Sequence, residues 1–341
     1  MTSSGRRPTG SGRRFLNLVL FAATVAVGGA SLVLLYHGLH HGKATGSDAR
    51  PTAAAAAGPH ASASSGQSPK PGPKPTALRP DGAMFDDFHY AGGDDPALTA
   101  HGWRVRTDSG GPGINDTWRT GGVSFPDVSD ARGGKALQLQ LTTDGTEAGT
   151  RQTELMSARP EFADGTYAAR VYFTDGPVLG RNGDHINESF YAIAPPTDKK
   201  YSELDYEYMP NGGWGSVRPE LDTTSWHSSQ QGDRVYHPTY QRLHGWHTVM
   251  ITALKGRTTY YLDGTEIFTN GAAYSLHGPV DVAFSTWLID LPFTGKRTWN
   301  MQVNWFYYQA GKALSFQDVD KAVNAYYAAG THYVNTLTTQ P

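Results

Sequence analysis

The chain has 341 residues and not one cysteine, which excludes disulfides and thiolate chemistry. Charge is scarce as well. Asp, Glu, Lys and Arg make up 18% of the residues, and 29 basic side chains against 31 acidic ones leave a net charge of -2. Nucleic-acid binders carry a basic footprint, and this balance offers none. No His-Glu-x-x-His or comparable ligand spacing points to a metal, and no Gly-x-Ser-x-Gly elbow points to a serine nucleophile. No repeat period stands out.

What is present begins with an apolar run at residues 15–36, Phe15 to Tyr36, broken only by Asn17, Thr24, Ser31 and a few glycines. That length spans a bilayer. Arg6, Arg7, Arg13 and Arg14 precede it, which orients the basic segment 1–14 to the cytoplasm and everything after about residue 40 to the outside. A single-pass transmembrane signal anchor at the cell membrane is expected. A long signal peptide cut near Ala30 is the alternative, and it would leave the protein secreted. Residues 37–80 are dominated by Ala, Pro, Gly, Ser and Lys, including Pro69-Lys70-Pro71-Gly72-Pro73-Lys74-Pro75, and lack the apolar content to fold. They read as a disordered tether with a mean span of roughly 35 Å.

From Asp81 to about Lys312 short alternating runs lie between turn residues. Ala136–Leu141, Thr166–Phe173, Thr248–Thr252 and Thr258–Leu262 read as strands, and Gly133-Gly134, Asp144-Gly145, Asp164-Gly165, Asn211-Gly212 and Asp263-Gly264 as turns. The 40 glycines and 18 tyrosines suit such a body. One all-β domain at 81–312, a sandwich or a barrel, is expected. In the segment 313–341, residues 315–327 predict a helix: Ser315 with Asp318 forms a capping box, Phe316, Val319, Val323 and Tyr326 share a face, and Gly330 stops it. Packing against the sandwich is its expected role.

The feature that bears on chemistry is Glu203-Leu204-Asp205-Tyr206-Glu207. Strand side chains alternate, so Glu203, Asp205 and Glu207 line one face while Leu204, Tyr206 and Tyr208 point the other way. Like charges in a row repel. Repulsion raises the pKa of one carboxyl so that it keeps a proton near neutrality while a neighbour ionises, which is the pairing glycoside hydrolysis requires. Alternating acids on a solvated strand face are the bland alternative.

Several segments together resemble the family 16 glycoside hydrolases. The acidic strand is similar to that family's Glu-hydrophobic-Asp-x-Glu motif. Phe85-Asp86-Asp87-Phe88, Glu154–Ser157 with Phe162, Gly165 and Tyr167–Arg170, Trp246-His247-Thr248, Tyr260-Tyr261-Leu262-Asp263-Gly264 and Val303–Tyr308 resemble its flanking strands in order and spacing. The resemblance implies a two-sheet antiparallel jelly-roll β-sandwich of the concanavalin A-like kind, preceded here by the transmembrane helix and followed by the short helix. It implies a retaining endo-β-glycosidase acting on an extracellular β-glycan, with Glu203 as nucleophile, Glu207 as general acid and base, and Asp205 tuning the pair. No cofactor and no metal are implied; the expected partners are a polysaccharide and the membrane, and a monomer is expected.

The chain also departs from the family. Ser189–Ala194 lacks the tryptophans common before the motif, and Ile251-Thr252-Ala253 lacks a strand-ending one. Trp214, Trp226, Trp287, Trp299 and Tyr208 are candidate replacements, with core packing open for each; His185 is a candidate cleft residue. Asp184-His185 with Asn187 and Glu188 reads as a turn-flanking polar cluster. Asn115-Asp116-Thr117 and Asn187-Glu188-Ser189 match the glycosylation pattern. A second function class remains open, a non-catalytic carbohydrate-binding jelly roll at the cell surface, as does a ligand-free structural protein.

Overall fold

A computed structural model describes residues 79–230 and 232–338. The basic segment, the expected anchor and nearly all of the linker lie outside the described residues, among which no helix is long and apolar enough to cross a membrane.

The body is two stacked antiparallel sheets. The first, the groove sheet, has seven strands in the spatial order Arg234–Thr239, Glu220–Trp226, Glu203–Met209, Ile186–Ile193, Asp281–Leu288, Thr153–Ser157 and Trp103–Val105. The second runs Thr265–Asn270, Arg257–Leu262, Gly245–Leu254, Gly165–Phe173, Arg297–Ala310, Ala83–Asp86 and Tyr333–Asn335. Leu137–Thr143 pairs with the first half of the long strand Arg297–Ala310, and Val123–Ser124 pairs with Leu137–Thr143. The strands expected from alternation all form, within a few residues of their sequence limits. Asp263-Gly264 closes its hairpin with φ of 49° and 81°, the left-handed pair that such a two-residue turn demands.

Each strand sends its alternate apolar residues between the sheets. Phe190, Leu204, Tyr206, Tyr208 and Phe284 meet Tyr167, Val171, Val249, Ile251, Tyr260, Phe306 and Tyr308, all nearly or fully buried. The layer is mostly aromatic. Phe190 stacks on Phe284 at 5.0 Å, and Tyr206 meets Tyr260 edge-on at 5.3 Å. Such pairs contribute about 0.5–1.5 kcal/mol each beyond area burial. Their hydroxyls need partners. Tyr206 donates to the Met250 carbonyl at 2.8 Å and accepts from the Tyr261 N–H at 2.9 Å, which ties the acidic strand to the opposite sheet.

The outer face of the second sheet is covered by the helix Phe316–Ala328. Ser315 accepts the Asp318 N–H at 3.1 Å and Asp318 answers with the Ser315 N–H and Oγ, the expected capping box. Val319, Val323 and Tyr326 pack on Phe85, Ala168, Met250, Trp305 and Tyr307, with Tyr326 stacked on Phe85 at 4.6 Å. Gly330, at φ 62°, turns the chain back. The short strand Tyr333–Asn335 then pairs with Ala83–Asp86, an element too brief to leave a periodic signal in sequence. The C-terminal segment is thus a helix plus a sheet strand, not a helix alone.

One buried ion pair joins the two sheets. Arg297, which starts the long strand, donates Nη2 to Asp184 at 2.7 Å and Nε at 3.1 Å, with both side chains essentially inaccessible. The Trp299 indole N–H adds a bond to Asp184 at 2.8 Å. Asp184 lies two residues before Ile186, the start of the strand beside the acidic row. Replacing Arg297 with Ala strands a buried carboxylate, so Arg297→Ala is expected to cost about 3–5 kcal/mol in urea unfolding. Asp184→Asn with Arg297→Met, which removes both charges, is expected to recover much of that loss.

Candidate active site

Because Leu204, Tyr206 and Tyr208 are committed to the core, Glu203, Asp205 and Glu207 all emerge on the outer face of the groove sheet. Register then chooses their neighbours. Trp226, Thr224 and Asp222 stand opposite Glu203, Asp205 and Glu207 on one side, and Ile193, Tyr191 and Ser189 on the other. Glu203 and Glu207 are partly buried, and Asp205 is buried between them.

Each carboxyl has its own donors. Glu203 accepts from the Tyr201 hydroxyl. Asp205 Oδ2 accepts the Trp226 indole N–H at 2.9 Å, while its Oδ1 is buried with no donor facing it. A proton kept on Asp205 and donated to Glu203 satisfies that oxygen. Glu207 Oε1 accepts from the Asn187 amide at 2.9 Å. Behind Asn187 runs a relay of fixed polarity: the Trp287 indole N–H donates to Ser189 Oγ at 3.2 Å, and Ser189 donates to Asn187 Oδ1 at 2.7 Å. An indole only donates, so the relay orients the amide with its NH2 toward Glu207.

Burial is the largest influence on all three carboxyls and pushes each upward. Glu207 rises to about 8, with the Asp222 and Glu203 charges adding to burial and Arg234 and Asn187 opposing it. Asp205 is driven well above the carboxylate range by burial and by the charges on either side of it, Glu203 and Glu207. Glu203 is raised by burial too, against the opposing pull of Tyr201, Asp205 and Arg234, which all favour its anion. Donors that favour the anion are thus gathered at Glu203, while Glu207 is held up at about 8. Asp222, opposite Glu207, is itself raised to about 7 by burial and the Glu220 charge. Farther along the same face Glu154 accepts from Tyr191 at 2.7 Å and pairs with Arg106 at 3.3 Å.

The sequence-level candidates divide. Trp226 lies beside Glu203 with the Arg234 guanidinium 4.8 Å above its ring. Trp287 is on the groove face but only 4% exposed, with the half-exposed Trp214 6.0 Å away. His185 sits past the Asn187 end of the row, its Nδ1 2.9 Å from Asp290. Tyr208 is not a groove residue. It is fully buried, donates to Asp175 and accepts the Leu243 N–H at 3.0 Å, since odd and even positions of one strand cannot share a face. Trp299 is likewise buried, against Asp184. Asn187 is wholly inaccessible, which removes it as a glycan acceptor. The polar cluster after Asp184 also splits: Asn187 serves Glu207, whereas Glu188 points inward and takes both Thr174 donors.

Tyr201 and Asp222 escaped sequence reasoning, in which Asn187 and Ser189 figure only as a turn-flanking cluster and a glycosylation match, not as partners of Glu207. Only Asp222 left a signal, because Glu220-Leu221-Asp222 repeats the acid alternation of the neighbouring strand.

No protein-family model and no curated protein matches the sequence. The fold has counterparts among solved structures. A glycoside hydrolase family 16 endo-glucanase from Bacteroides ovatus is similar with a TM-score of 0.51 at 14% identity, over 66% of this chain and 98% of its own. A laminarinase from Flavobacterium sp. is similar with a TM-score of 0.50 at 14% identity, over the same shares. The body therefore has the concanavalin A-like fold of the family 16 glycoside hydrolases.

Carboxyls with raised folded-state pKa values stabilise the fold below their unfolded values and lose that contribution as pH climbs through the folded ones. Glu207 and Glu188 at about 8 and Asp86 at about 7 place the loss between roughly pH 4 and 8. The melting temperature is expected to fall across that window. Glu207→Gln should raise it at about pH 9 and leave it nearly unchanged at about pH 5, as read by calorimetry.

Proposed function

We propose that the protein is a retaining endo-β-glycosidase of neutral β-glucans. The observation that carries this reading is the graded row: one carboxyl surrounded by donors that favour its anion, and another, four residues on, held protonated to about pH 8. Glu203 attacks the anomeric carbon while Glu207 gives its proton to the departing glycosidic oxygen. The positive charge spread over the ring oxygen and anomeric carbon collapses into a glycosyl ester on Glu203. Losing its proton leaves Glu207 as the base that takes a proton from water, and the hydroxide attacks the same carbon and releases Glu203 with net retention. Asp205, donating to Glu203, eases its departure as a carboxylate.

An open sheet face suits internal sites of a polymer. The carboxyls on that face, with Glu220 and Asp222 beside the row, disfavour an anionic glycan and leave a neutral chain as the fitting ligand. The apolar run at 15–36 supports placement outside the cell membrane, with the linker as spacer.

The test is release of reducing sugar from laminarin and mixed-linkage β-glucan. Glu203→Gln and Glu207→Gln are each expected to lower kcat by about 10²–10⁴-fold or more. NMR of the first product should show the β anomer. If the wild type binds glucans across a broad panel but never shortens them, the carbohydrate-binding reading replaces this one. The pH profile provides an independent check. Activity should rise with Glu203 ionisation and fall as Glu207 deprotonates near pH 8. Asp222→Asn, by removing a charge that holds the Glu207 proton, should move the alkaline limb to lower pH, and Asn187→Ala should move it higher.

A further inference from the structure

We propose that Asp87, His89 and His332 form a zinc site that clasps the first strand of the folded body to the last. Their ligand atoms all lie within 4.8 Å of one another. His332 Nδ1 is 2.9 Å from Asp87 Oδ2, and the His89 and His332 rings lie nearly parallel with centroids 4.1 Å apart. Asp87 follows Ala83–Asp86, and His332 precedes Tyr333–Asn335; the Asp87 N–H donates to the His332 carbonyl at 3.1 Å, so the two strand ends already meet there.

An ion pair between Asp87 and His332 does not account for the whole arrangement. Asp87 is only 3% exposed, yet its Oδ1 is buried with no hydrogen-bond partner among the described residues. A carboxylate oxygen left so costs about 1–3 kcal/mol or more. A cation held between the carboxylate and two imidazoles satisfies it. The donor set of two ring nitrogens and one carboxylate oxygen matches a zinc centre whose fourth position is water, whereas calcium and magnesium take oxygen ligands. Tetrahedral zinc needs its ligands roughly 3.3 Å apart, from bonds of about 2.0–2.1 Å. His89 and His332 are exposed and have room to close that remaining gap, and their exposure is also the entry path. The cluster lies on the helix-covered side of the sandwich, beside Tyr327, whereas the acidic row is on the outer face of the groove sheet. Zinc here acts on stability and not on the chemistry.

The experiment uses the full chain, stripped with EDTA and dialysed. Titration with zinc chloride is expected to show about one tightly held equivalent per chain and a rise of several degrees in melting temperature, reversed by chelator. His89→Ala and His332→Ala should each abolish the shift. His247→Ala, which removes a histidine paired with Asp263 at 2.7 Å elsewhere on the surface, should leave it intact. Calcium chloride at the same concentration should give no shift that depends on His89. His89 is a surface residue, so its variant remains folded and decides the matter. The proposal is overturned if the stripped wild type takes up no zinc, or if zinc stabilises the His89→Ala protein as much as the wild type.

Discussion

The two-residue period of the strand Glu203–Met209 is the constraint on which the site depends. Leu204, Tyr206 and Tyr208 fill the space between the sheets, and Tyr206 is bonded across that space to Met250 and Tyr261. A slip of one residue would drive three carboxyls into an aromatic layer and bring three large apolar groups to water. Each unpaired carboxyl buried in that way costs several kcal/mol, so the register has no competitor of similar energy. The core thereby fixes not only the direction of the acidic row but the identity of everything beside it. Asp222 meets Glu207, and Trp226 meets Glu203, because backbone pairing leaves them nowhere else to go.

Desolvation then supplies the electrostatic pressure, and individual donors decide how it is shared. Burial is the first cause of elevation at Glu203, Asp205, Glu207 and Asp222 alike. By itself it would raise them together and produce no division of labour. The division comes from the donors. Tyr201 and the Asp205 proton favour the Glu203 anion. Glu207 has a single amide donor against the charges of Asp222 and Glu203. The Trp287–Ser189–Asn187 relay keeps that amide from turning its oxygen toward Glu207, which would reverse the sign of its influence.

What sequence made legible follows the same physics. Alternation is local, so the strands, the acidic row and its outward face could be read directly, as could a helix that announces itself with Ser315 and Asp318. Contacts made by pairing across the sheet could not. Nothing near Glu207 in the chain names Asn187 or Asp222 as its partners, and Asp87 stands 245 residues from His332. Tyr208 is instructive in the other direction. The alternation argument assigned it to the core, while the search for aromatic replacements assigned it to the groove, and the structure sides with alternation. Trp287 and Trp299 show the limit of that argument: they occupy strands of different sheets, and sheet membership is a long-range property.

The division between sheets also explains how a site that strains its own electrostatics is tolerated. Every elevated carboxyl of the row belongs to the groove sheet and its outer face. The opposite sheet carries the capped helix, the pairing of the first and last strands, and the Phe85–Tyr326 stack. The raised carboxyls of the row thus face away from the sheet that carries these packing elements, and the acidic strand is held to that sheet through the core face, by Tyr206. The two are also coupled at Arg297 and Asp184, where the long strand of the second sheet grips a residue two positions before the Ile186–Ile193 strand. That strand carries Asn187 and Ser189. The ion pair therefore fixes where the strand that carries the Glu207 donor begins.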